Sequence, residues 1–77
     1  MTYDYSKLEG KITEKFGSQD AFASALGISS KSLSDKLNNK TIWKQPQISK
    51  ARELLSISEA DTFDYFFKYK VQELEQS

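Results

Sequence analysis

Cysteine and histidine are both missing from this 77-residue chain. With them go disulfide staples and the thiolate and imidazole groups on which most zinc, haem and nucleophile–base sites rest. Catalysis would fall to carboxylates, lysines and tyrosines, and no pair of these stands at a spacing that implies a shared pocket. An enzyme is therefore not expected, nor a cofactor, a metal or a small-molecule substrate. Long apolar runs are also missing: nothing approaches the roughly 20 consecutive apolar residues of a membrane helix. The start, Met1-Thr2-Tyr3-Asp4-Tyr5, lacks a basic stretch followed by an apolar one, so no signal peptide or membrane contact is expected. A soluble cytoplasmic protein fits this, and a cysteine-free chain is compatible with a reducing compartment. Finally, no charge of either sign prevails: eleven Lys and Arg face eleven Asp and Glu. Zero net charge is unusual for a protein that must neutralise phosphates.

What is present is enough for a fold. Apolar residues make up 38% and charged ones 29%, values of an ordinary soluble domain rather than a disordered chain. The length allows one domain over residues 1–77, with its core at about 3–70 and a frayed tail at about 71–77. A core of this size stabilises folding only if its helices pack efficiently. No Val/Ile/Thr alternation is long enough for a strand, and no internal repeat or linker interrupts the chain.

Helical spacing is clear. Tyr5, Leu8, Ile12 and Phe16 recur at steps of three and four along one stripe, which Gly17 would end. Gly10 within it suggests close approach of another helix. Ser18 is a good N-cap for a second helix from Gln19 to about Leu26, with Asp20 at the positive end of its dipole. Gly27 tolerates a left-handed turn, Ile28 is apolar, and Ser29 and Ser30 offer the next cap. A third helix follows from about Ser30 to Asn38, burying Leu33 and Leu37, with Asn38-Asn39-Lys40-Thr41 as its exit loop. Pro46 suits the first turn of a fourth helix carrying Ile48, Ala51, Leu54 and Leu55. Ser58-Glu59-Ala60-Asp61 is a capping box with Asp in the place of Glu, and Phe63, Phe66, Phe67 and Val71 or Leu74 continue as a fifth helix. The fold class is all-α, five short helices in one compact domain.

The segment from Gln19 to Ser34 carries the functional signal. A small Ala23 lets two helices approach, Gly27 permits a sharp turn, and Phe22, Ile28 and Leu33 fill the wedge between them. Gln19, Ala23 and Gly27 resemble the helix-turn-helix of the lambda-repressor-like superfamily, with helices two and three forming the motif. Tyr3 to Leu8, Leu33 to Thr41 and Trp43 extend the likeness to small Cro-like regulators of temperate phages of Gram-positive bacteria. The lactococcal modulators of repression, partners of a phage repressor, are one such group. In one respect the chain departs from the superfamily: the second buried apolar residue of the third helix, Leu37, comes four rather than three positions after Leu33.

That resemblance implies a third helix in the major groove of operator DNA, in a phage lysogeny switch within the bacterial host. Ser29, Ser30, Lys31, Ser32 and Asp35 would lie near base edges, and Gln19, Asn38, Lys40, Thr41 and Lys44 near phosphates. The charge distribution agrees in part: residues 18–44 carry four Lys against Asp20 and Asp35, whereas residues 45–77 hold four basic residues against six acids. The bland alternatives are that Lys40 and Lys44 are solvated surface charges, that Asp35 is an intramolecular partner, and that Trp43 covers the core instead of offering its indole N–H to a phosphate.

The last helix is richer in aromatics than a small core requires: Phe63, Tyr65, Phe66, Phe67 and Tyr69 cannot all face inward. Either Phe63, Phe66 and Phe67 are core and the tyrosines singly exposed, or Tyr65, Phe66 and Tyr69 form a surface for a homodimer or a partner protein. Two functions follow. One is a Cro-like regulator binding double-stranded operator DNA. The other is a modulator, antirepressor or corepressor, that binds the partner phage repressor.

Overall fold

A computed structural model of the chain describes residues 2–70. Five helices follow one another: α1 (Ser6–Phe16), α2 (Gln19–Leu26), α3 (Ser30–Leu37), α4 (Gln45–Leu55) and α5 (Thr62–Phe66). The described residues contain no strand beyond a single antiparallel bridge, Tyr3 to Tyr69, and no helix among them is long and apolar enough to cross a membrane. The proposed tail, with Val71 and Leu74, lies outside the described residues.

The boundaries of the first helices have local causes. Asp4 starts α1: its Oδ1 accepts from the Ser6 N–H at 3.0 Å and from the Ser6 hydroxyl at 2.7 Å. The backbone N–H and then the hydroxyl of Ser6 hold the Asp4 carboxyl below its ordinary value of 3.8, with Lys68 and Lys70 adding to them. This aid to α1 is therefore present above the ordinary carboxyl range and fades as pH falls through the depressed value. Ser18 Oγ accepts from Ala21 N–H at 3.1 Å and Ser29 Oγ from Ser32 N–H at 3.0 Å, each satisfying one of the free donors of a helix start.

Gly17 and Gly27 close α1 and α2 at φ of 83° and 86°. At Gly27 an added Cβ would meet nothing closer than Lys50 Nζ at 3.9 Å, an ordinary contact. Gly27→Ala is thus expected to cost about 1–2 kcal/mol through backbone strain alone. Urea titration checks this, and an unchanged midpoint would remove the case for a strained turn. Gly10, by contrast, is not a point of close approach, for its Cβ position faces open space.

The core gathers Leu8 and Ile12 of α1, Phe22, Ala23 and Leu26 of α2, Leu33 and Leu37 of α3, and Ala51 and Leu55 of α4. Each fully buried large side chain contributes roughly 1.5–3 kcal/mol. Helix α2 is central, touching α1, α3 and α4, while α5 packs on α1. Phe16 and Phe22 join the first two helices with ring centroids 5.3 Å apart.

The C-terminal part departs from the expected periodic helix. Ser58 Oγ does accept from Asp61 N–H at 3.2 Å, but this closes a turn, and α5 begins only at Thr62 and ends at Phe66. Phe67 is its C-cap. Beyond it the backbone pairs with the N-terminus: Asp4 N–H donates to the Lys68 carbonyl at 2.6 Å, and Lys70 N–H to the Thr2 carbonyl at 3.0 Å. Tyr3 and Tyr69 stack on this ribbon at 5.0 Å. Two cross-chain hydrogen bonds and a ring stack thus compete with one more helical turn.

Candidate functional site

Helices α2 and α3, joined through Gly27, Ile28 and Ser29, form the helix-turn-helix. At the start of α3 most polar side chains already have partners. Ser29 is spent on its cap. Ser30 donates to Asp20 Oδ1 at 2.6 Å, tying the start of α3 to the start of α2. Lys31 reaches Asp35 at 3.1 Å, with side-chain exposures of 82% and 23%. Gln19 is exposed and Ser32 half-buried. The structure therefore brings Gln19, Asp20, Ser29, Ser30, Lys31, Ser32 and Asp35 onto one motif, where the lysine meets its own carboxylate and two acids lie among the polar groups. An exposed pair of this kind contributes little to stability, but it sets a carboxylate beside Lys31, the one exposed lysine of α2 and α3.

The exit loop holds the other expected contacts. Lys40 and Thr41 are exposed and their N–H groups donate to the Asp35 carbonyl at 2.8 and 3.3 Å. Asn38 Nδ2 donates to Ser34 Oγ at 3.2 Å. Lys44 is exposed at the N-cap of α4, where its own N–H donates to Gln47 Oε1 at 3.0 Å. Trp43 is buried, packs edge-on against Phe66 at 5.2 Å, and its Nε1 has no acceptor and no exposure. It covers the core, and its N–H faces no phosphate.

Sequence reasoning missed Lys36. It is 5% exposed and sits three positions after Leu33, where the superfamily places an apolar residue. Its stem fills that place while its ammonium donates to the Ile42 carbonyl at 3.2 Å and lies 6.0 Å from the Trp43 ring, as long cationic side chains do at the rim of a core. Leu33, Lys36 and Leu37 together form the inner face of α3.

Asn39 was also missed as a tie. At φ 64° its amide accepts from Tyr3 N–H at 2.9 Å and donates to the Tyr3 carbonyl at 3.0 Å, so a side chain completes the ribbon edge. The Asn38-Asn39 pair was the available signal, since asparagine tolerates the left-handed region. Asn39→Ala strands two part-buried backbone groups and is expected to cost about 1–3 kcal/mol. Loss of hydrogen-exchange protection at the Tyr3 amide, together with a lower urea midpoint, checks it; retained protection would mean the tie is redundant.

The aromatic expectation needs correction. Tyr65 is 8% and Phe66 1% exposed, so neither belongs to a partner surface, while Phe63 at 59% is not core. Because α5 lies against α1, the adjacent pair Tyr65–Phe66 points inward and Phe63 outward. Tyr69, half exposed, stays at the surface as expected, with Phe67 and Ile42 beside it in exposure.

Residues 1–69 match the family model described as "Protein of unknown function (DUF739)". Among solved structures, the chain is similar to the solution structure of the modulator of repression (MOR) of the temperate bacteriophage TP901-1 from Lactococcus lactis. The two are 50% identical with a TM-score of 0.77, over 94% of this chain and 97% of that one. No curated protein matches the chain.

Proposed function

The chain belongs to the family described as a protein of unknown function (DUF739), and we propose that it modulates a temperate-phage lysogeny switch by binding the phage repressor through its α2–α3 face. The observation that carries this reading is the charge state of that face. A DNA reader offers unpaired cations to phosphate. Here Lys31 is held by Asp35, the Ser30 hydroxyl by Asp20, and the whole chain carries no net charge. A repressor, in contrast, must present a basic DNA-contacting surface, to which Asp20 and Asp35 are complementary. The name of the similar lactococcal protein, a modulator of repression, agrees with this.

A second reading keeps operator DNA as a ligand of the same face, bound by a homodimer on half-sites about 34 Å apart. Its support is the exposure of Lys31, Lys40 and Lys44 around α3. In both readings residues 1–77 act as one domain in the cytoplasm of the bacterial host, without catalysis. Titration calorimetry against the repressor's DNA-binding domain, run beside a mobility-shift series with operator DNA at low salt, separates them. Saturable heat with the repressor and no specific shift supports the first. A specific shift without repressor binding replaces it with the second.

A further inference from the structure

On the side where residues 2–4 pair with 68–70, a groove of about 330 Å³ is walled by Tyr3, Ile42 and Phe67 and floored by Tyr5, Trp43 and Phe66. Ile42 stands 76% exposed at its edge and Phe67 39%, more apolar surface than a loop and a helix end require. Trp43 Nε1 is buried without an acceptor. The rim is basic. Lys36 donates to Ile42 and lies near Trp43. Lys40 sits between the groove residues Asn39 and Thr41, and Lys44 follows Trp43. Lys68 and Lys70 flank Tyr69 and reach Asp4 electrostatically. Among the described residues Asp4 is an acid beside these lysines, and its carboxylate is already engaged by Ser6.

We propose that this groove docks an extended, acidic and apolar segment of a partner protein, whose leucine-like or aromatic side chain enters between Ile42 and Phe67 while its carboxylates meet the lysine rim. The charge complementarity selects this occupant. A second copy of the same face would set Lys68 and Lys70 against their equivalents. Single-stranded nucleic acid suits the rim but not the walls, because the Tyr3 ring is stacked on Tyr69 and Trp43 packs edge-on with Phe66, leaving few open ring faces for bases. An exposed isoleucine offers a base no stacking. The apolar walls of the site are separate from the α2–α3 face, while Lys40 and Lys44 are shared with its second reading.

Trp43 is the chain's one tryptophan, so its emission reports the groove. The full chain is titrated with the acetylated peptide Glu-Leu-Asp-Phe-Leu-Glu, followed by fluorescence and in parallel by calorimetry. Saturable binding is expected, weakened about tenfold or more by Ile42→Asp and by raised salt, the loss corresponding to one decade in Kd. Phe67→Ala gives an independent second variant, and Lys31→Ala leaves the binding unchanged. No saturable signal by either method overturns the proposal. So does equal binding of a counterpart peptide with lysine for each acid, or displacement of the peptide by an oligothymidylate.

Discussion

Phe22→Ala is expected to lower the melting temperature by at least about 12 °C, among the largest losses of any single truncation in this domain. The ring is fully buried, lies on the helix that touches α1, α3 and α4, and packs on Phe16 at 5.3 Å. Burial of this kind costs about 3–5 kcal/mol when truncated, transfer and cavity together. For a chain of 77 residues the usual stability per residue gives roughly 4–12 kcal/mol in total. The mutation therefore removes about a quarter of the stability or more, at about 4–8 °C per kcal/mol for a domain of this size. Phe63→Ala serves as the matched control: the same residue type, 59% exposed, is expected to cost under about 1 kcal/mol. Thermal unfolding followed by circular dichroism compares the two. Equal losses would mean that Phe63 does not face outward.

That contrast also marks where sequence and structure part. Helices α1 to α4 were legible because two independent signals coincide in most of them: an apolar stripe at helical spacing, and a cap or glycine at its ends, as at Ser18, Gly27 and Ser29. At α5 the apolar residues are so dense that several stripes fit equally well. Periodicity could not separate Tyr65–Phe66, which are buried, from Phe63 and Phe67, which are not. What ends the helix is a pairing with Thr2 to Asp4, more than sixty residues away, and no local window contains that information. Lys36 was hidden for the opposite reason. A lysine is taken as exposed by default, and only the carbonyl of Ile42 above the core explains why this one is not.

The candidate site shows the same division. The helix-turn-helix was legible from Gln19, Ala23 and Gly27, and the expected contact residues Gln19, Ser29, Ser30, Lys31, Ser32 and Asp35 do lie on it. Their state of engagement was not legible. Spacing four apart makes Lys31 and Asp35 neighbours on a helix, yet the reach of Ser30 to Asp20 joins two helices and follows only from how the turn folds. The groove beside Trp43 was invisible for a related reason, since its walls come from residues 2–5, 39–43 and 66–67.

Reversing the two acids of the α2–α3 face, Asp20→Lys together with Asp35→Lys, is expected to exchange the ligands of that face. Net charge rises from zero to about +4, and Lys31 is released from its 3.1 Å partner. Because affinity for duplex DNA grows steeply with the number of neutralised phosphates, binding at low ionic strength is expected to rise by about 100-fold or more, with a steeper salt dependence. Repressor binding should fall by a comparable factor, since cations now meet a basic surface. The fold should survive. The losses are one exposed ion pair, the Ser30 tie, and the favourable carboxylate in the first turn of α2, together about 1–2 kcal/mol. Circular dichroism controls for this, and mobility shift and calorimetry read the two ligands. Stronger DNA binding with repressor binding intact would mean that the acids shield α3 without touching the repressor. Weaker repressor binding without gain on DNA would make α3 a protein surface alone. If neither changed, the face assigned to both ligands would be the wrong one.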